Sequence, residues 1–261
     1  MGNVFIRQKS AVYHYTALTN LKDILTIDGV KLWATRYGFF NDKQEFVWAQ
    51  NKILPELEKI AQHNTETFDP EHFVHPYIVS FTKSEDDLNM WRLYANDGKG
   101  VSLLFDQDEM QVCAENLMGI MNVVYANEHS LRQKIEAAHN EYTEKYANER
   151  LADDYREVPA FIKHESYESE QEIRLVKFAC DGFAFDGKSG RITDYDEEAT
   201  NVKFRTRDDI LIPYMEIMLP KTSLKEIIIG YNCDYESAKK SIELLLQQRS
   251  YQITIKQSSI K

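Results

Sequence analysis

The sequence predicts an α+β fold. Short runs of β-branched and aromatic residues, such as Tyr77–Thr82, Val101–Phe105 and Leu224–Ile229, read as strands. Helical patterns interrupt these runs without the regular alternation of a parallel βαβ protein. The chain of 261 residues carries 15 Tyr, 13 Phe and 3 Trp, enough apolar surface for a large core.

The elements follow in order. Val4 to Tyr15 has strand composition. Thr19-Asn20 offers a helix cap before Leu21, Ile24 and Leu25, and Gly29 is placed to end that helix. Val30–Ala34 reads as a strand. Asn41-Asp42 opens a second helix with Phe46, Ala49, Ile53, Leu54 and Leu57 on one face. Tyr77–Thr82 is a strand, Asp86–Tyr94 a short helix and Asn96–Gly100 a turn. Val101–Phe105 is apolar at nearly every position, as in a central strand. Ser130–Tyr155 is charged and helical with few apolar residues, which suits a pair of surface helices. Glu172–Phe178 and Ile210–Leu219 read as strands, and Cys180–Asn201 as a hairpin excursion. Leu224–Ile229, Tyr235–Gln248 and Tyr251–Lys256 form a strand, helix and strand, with Gly230 as the break. The organisation is one α+β domain over residues 1–261, with a helical insertion at about 130–156 and a C-terminal strand-helix-strand unit at 224–257.

A net charge of −11 gives no bulk attraction to nucleic acid. Arg191, Lys203, Arg205 and Arg207 are close in sequence, and a solvated strand face accounts for them. The 3 cysteines are odd in number and far apart, so they build neither a disulfide framework nor a zinc site. No apolar run has the length of a membrane span, and Met1–Lys9 lacks a signal-peptide core. A reducing cytoplasm is the expected compartment, with no membrane partner.

Several polar groups sit at strand-like positions. In Tyr13-His14-Tyr15-Thr16, alternation puts His14 and Thr16 on one face and the tyrosines on the other. Ser80 and Thr82 share a face, opposite Phe81. Glu170, Glu172 and Arg174 share a face if this segment starts a strand. Two carboxylates so close either pair with Arg174 as an ionic strand edge or serve a site that stabilises developing positive charge. Asp42 and Glu45 fit a capping box, and with Glu170 and Glu172 they are the alternative ligand set of a metal-dependent nuclease. Without a histidine at ligand spacing, no metal is expected. Trp91 and Tyr94 lie three apart on a helix, suited to core packing or to stacking on a ligand.

The ordered set Asn41-Asp42 with Glu45, Ser80-Phe81, Met90-Trp91 with Tyr94, Gly98-Lys99-Gly100-Val101, Glu170–Arg174 and Ile228-Ile229-Gly230 resembles a widespread bacterial family known as a domain of unknown function. Its members often lie near abortive-infection or phage-defence genes. Lys43 departs from its usual proline. Tyr13–Thr16, then Ser80–Thr82, then Glu170–Glu172 is also similar to the ADP-ribosyltransferase fold, as in DNA-targeting toxins. That resemblance implies a split, mostly antiparallel β core gripping NAD as substrate. It puts catalysis on Glu172, Glu170 and His14, and NAD contacts on His14, Tyr15, Thr16, Tyr37, Asn41, Ser80, Thr82, Trp91 and Tyr94. Glu172 would face the ribose and Glu170 orient an acceptor, protein or nucleic acid. The expectation is an NAD-consuming ADP-ribosyltransferase-like toxin or defence effector; the alternatives are a non-catalytic sensor or interaction module and the nuclease.

Overall fold

The computed structural model describes residues 11–40, 43–63, 74–111, 118–145, 160–180, 185–186, 191–192 and 202–260. The strands β1 (Ala11–Ala17) and β2 (Val30–Arg36) flank the short helix α1 (Leu21–Ile24). The helices α2 (Lys43–Trp48) and α3 (Leu54–His63) are joined by a π-helical segment, Ala49–Ile53. Then come β3 (Val74–Thr82), α4 (Leu88–Tyr94), β4 (Gly100–Asp106), α5 (Gln107–Gln111), β5 (Met118–Asn122), β6 (Val124–Ala126) and α6 (Leu131–Lys145). They are followed by β7 (Ile162–His164), a 3-10 turn (Glu165–Glu170), β8 (Glu172–Cys180), β9 (Phe185–Asp186), β10 (Arg191–Ile192), β11 (Lys203–Arg207) and β12 (Ile210–Leu219). The chain closes with β13 (Leu224–Ile229), a helix here called α7 (Tyr235–Arg249), and β14 (Thr254–Gln257). Strand pairing is mixed and mostly antiparallel, so the fold is α+β, as the sequence predicts.

The chain divides into two compact units. One comprises Met1–Leu32, Ser80–Ala114 and Ile217–Lys261; the other comprises Trp33–Val79 and Glu115–Glu216. In the first, β4 pairs antiparallel with β1 on one side and β13 on the other. Val101, Leu103 and Phe105 on β4 are fully buried, which is why this run is apolar at almost every residue. Parallel pairing of β13 with β14 needs a crossover, and α7 supplies it. Its buried face is Ala238, Ile242 and Leu246, at four-residue spacing, and the Asp234 side chain caps its first turn.

In the second unit, β11 and β12 form an antiparallel hairpin, and β5 pairs antiparallel with β8. The predicted excursion within 180–201 contains the small hairpin β9–β10. Ala49, Ile53 and Leu57 of the second helical region are buried as expected. They pack with Leu131, Ile135 and Ala138 of α6, which therefore joins the core of this unit instead of lying on the surface. Three buried residues at positions i, i+4 and i+7 suffice for that stripe, however charged the rest of the helix is.

Two further expectations change. The first helix stops at Ile24, well before Gly29, because Leu25 turns into an antiparallel bridge with Val30. Glu170 is not on a strand: it ends the 3-10 turn, and Gln171, in a left-handed conformation at φ 45°, separates it from β8. The predicted strand start at Val4, Asn41-Asp42 and residues 146–155 lie outside the described residues.

Candidate functional site

The second unit contains a cluster of five charged side chains: Glu45, Lys163, Glu172 and Arg174 are buried, and Glu170 is partly buried at its edge. Each element contributes by a local rule. Alternation along β8 puts Glu172 and Arg174 on one face, and Arg174 Nε donates to Glu172 Oε1 at 2.9 Å. The 3-10 turn brings Glu170 to β7, where Lys163 Nζ donates to its Oε2 at 2.6 Å. Glu45, near the start of α2, is one and two helical turns before Ala49 and Ile53, so it points with them toward the interior.

The cations close the cluster. Arg174 Nη2 donates to Glu45 Oε1 at 2.5 Å and to Glu172 Oε2 at 3.1 Å. Its Nη1 donates to the Ala160 carbonyl at 2.7 Å. Lys163 Nζ also pairs with Glu172 Oε2 at 3.1 Å and Glu45 Oε2 at 3.2 Å. Aromatic rings surround these groups: Lys163 lies over Tyr167, Arg174 over Phe40, and the Glu172 N–H donates to Tyr125 Oη at 2.7 Å. Arg174 is completely buried and Glu172 is 6% exposed. Three carboxylates against two cations leave a formal charge of −1.

Burial alone would pull the Lys163 pKa down, but Glu172 and then Glu45 outweigh it and leave the ammonium held firmly in its charged form. Arg174 is raised by the same balance. Tyr37 is pushed well up, first by burial and then by Glu45; the Tyr125 hydroxyl is pushed up to about 12, chiefly by burial.

The nuclease alternative expected three of these acids to converge, and Glu45, Glu170 and Glu172 do, but around Lys163 and Arg174. An ammonium stands where that alternative needs a divalent cation. Among the described residues no group of three or more His, Cys, Asp or Glu is arranged to hold a metal. Asp42 is outside those residues. Glu45 belongs to the ion cluster, where its sequence pattern pointed to a capping box.

The first unit holds His14, Tyr15, Thr16, Ser80, Thr82, Trp91 and Tyr94; Tyr37, Glu170 and Glu172 belong to the second, and Asn41 is outside the described residues. His14 is partly buried on β1, and its Nδ1–H donates to the Ser80 carbonyl at 2.9 Å. Burial lowers its pKa, only partly offset by that bond, so the ring is neutral at pH 7 with Nε2 as its acceptor. Ser80 meets His14 through its backbone, while its side chain is exposed.

Tyr15 Oη donates to the Ser84 carbonyl and accepts from the Asp87 N–H, both at 3.1 Å, and burial pushes it up to about 12. Thr16 Oγ1 accepts from Asn20, and Thr82 Oγ1 from the Ser84 N–H. Trp91 is fully buried, stands edge-on to Tyr15, and donates its indole N–H to Asp86 at 2.8 Å. The tryptophan thus takes its core-packing role, while Tyr94 is 41% exposed.

The glycine motifs also have packing causes. A Cβ on Gly100 would lie 2.2 Å from the Thr16 carbonyl oxygen, and one on Gly230 would lie 2.2 Å from that of Gly98. Only glycine lets these backbones approach so closely.

Lys163 and Tyr125 were not singled out by sequence. Lys163 follows the buried pair Phe161-Ile162 with no local sign that it too is enclosed. For Glu45 a signal existed: an acid in register with the apolar stripe Ala49, Ile53 and Leu57.

An α+β fold with a buried ion cluster is the class of protein defined here. The family model for DUF2971, a protein of unknown function, matches residues 90–175. That span takes in most of α4, the Gly98–Gly100 turn, β4, Lys163 and the Glu170–Arg174 motif, while Glu45 precedes it. No curated protein and no solved structure matches the chain. No helix among the described residues is long and apolar enough to cross a membrane.

Proposed function

We propose that this protein is a non-catalytic sensor or interaction module, in which Glu170 and Glu172 are structural. The supporting observation is that both Glu172 oxygens are committed: Oε1 to Arg174 and Oε2 to Arg174 and Lys163, with the residue 6% exposed. A carboxylate that stabilises an oxocarbenium-like centre must direct its field at the reacting carbon. Between two cations, most of that field is cancelled locally. The setting in phage defence or abortive infection comes from the family resemblance, and the cytoplasmic setting from the cysteine usage.

The second reading is an NAD-consuming ADP-ribosyltransferase-like toxin or defence effector, a glycosyl-transferring enzyme acting on a protein or nucleic-acid acceptor. It is favoured by His14, whose fixed tautomer presents Nε2 to accept a ribose hydroxyl. The two separate on one experiment: incubating the purified protein with NAD labelled in its nicotinamide, with and without cell extract. The module predicts no nicotinamide release by the wild type, and a lowered unfolding midpoint for Glu172→Gln. Release by the wild type that is lost in a folded Glu172→Gln variant overturns it.

A further inference from the structure

The basic cluster noted in the sequence has an unexpected setting. Lys203, Arg205 and Arg207 occupy every second residue of β11, so their side chains leave the same face of the second unit. That face is not a plain solvated strand. Trp33 of β2 is 38% exposed and stacks on Tyr214 of β12, ring centroids 4.7 Å apart and tilted by 36°. The Arg205 guanidinium lies over the Trp33 ring at 5.6 Å. The exposed indole thus has a cation and a phenol as direct neighbours.

The charges on this face are unevenly satisfied. Lys203 pairs with Glu216 at 2.8 Å. Arg207 Nη2 donates to the carbonyls of Phe39 and Phe40. Among the described residues Arg205 has no carboxylate partner: Nη2 donates to Thr35 Oγ1 at 2.9 Å, while Nε is buried without a hydrogen bond. Burial and the neighbouring Arg207 both lower its pKa from the ordinary arginine value, which marks a cation short of negative charge. In a chain of net charge −11, a partly desolvated arginine without a carboxylate beside an exposed indole is a local exception.

We propose that this face binds a single strand of nucleic acid, with Trp33 stacking on a base and Arg205 and Lys203 meeting its phosphates. Charge complementarity and the aromatic stack are the two components of such sites. An exposed ring can stack only on a base that is unpaired and unstacked, which selects a single strand over a duplex. None of these residues belongs to the ion cluster or to the His14 group, so the inference stands apart from both readings above.

The test is fluorescence anisotropy with a labelled single strand of about 12 nucleotides, within the range one such site covers, at about 50 mM salt, where phosphate contacts are strong. The expected result is saturable binding that Trp33→Ala weakens at least about five-fold, with Trp33→Phe retaining most of it. Arg205→Ala should lower the slope of log affinity against log salt by about one. Circular dichroism of each variant confirms folding, and Trp33→Phe keeps the test decisive if the alanine variant does not fold. Absence of binding, equal affinity for Trp33→Ala and wild type, or adenosine monophosphate binding as tightly as the strand each overturns the proposal.

Discussion

Arg174 concentrates the physics of this molecule in one side chain. A fully buried guanidinium is tolerated only if its donors are met, and here they reach Glu172, Glu45 and the Ala160 carbonyl. Its partnership with Glu172 was legible, because the two are two apart on a strand. Glu45 was not, because 129 residues separate it from Arg174. His14 shows the opposite case, a titratable ring held neutral by burial. Its folded pKa lies below the unfolded value of about 6.5, so the unfolded chain takes up the proton more readily. The stability it contributes is therefore complete above the unfolded value and lost as pH falls toward the folded one. Urea unfolding should show a midpoint that drops between about pH 7.5 and 5.5, and His14→Gln should flatten that dependence.

At the scale of elements, short signals were read correctly where the cause is local. The helix α4 begins at Leu88 because the Asp87 side chain accepts from the N–H groups of Asn89 and Met90, at 2.9 and 3.1 Å. Replacing Asp87 with alanine should cost about 1 kcal/mol, measured by denaturant titration, without altering the fold. The turn at Asn96–Gly98 has three successive residues at positive φ, as its composition suggested. Errors arose where distant packing decided. Few apolar residues in α6 suggested a surface element, yet Leu131, Ile135 and Ala138 meet a buried partner. The start of the Glu170–Arg174 segment looked like strand, but the left-handed Gln171 breaks the period and turns Glu170 toward Lys163 instead.

For the whole molecule, the net charge of −11 implies self-repulsion in the folded state. Raising ionic strength from about 0.01 to 0.15 M shortens the screening length from about 30 to 8 Å and should raise the thermal midpoint. The buried cluster should not share that sensitivity. Removing its central cation with Arg174→Met leaves two carboxylates uncompensated and should cost about 3–5 kcal/mol. That loss should be nearly the same at both salt concentrations, because enclosed pairs are weakly screened. A loss that shrinks strongly with salt would mean that the cluster is open to solvent.

By itself the sequence determined the class of fold, most element types and the buried stripe Ala49, Ile53 and Leu57 of the second helical region, since periodicity and capping act over a few residues. It also marked Glu170, Glu172 and Arg174 as charges in need of partners. Tertiary structure alone decided which partners they have. Glu45 lies 129 residues before Arg174 and Lys163 on the neighbouring strand β7, and only the packing of α2, β7 and β8 brings them within hydrogen-bond reach. Burial then makes that choice binding, because each charge taken out of water must be matched where it lies.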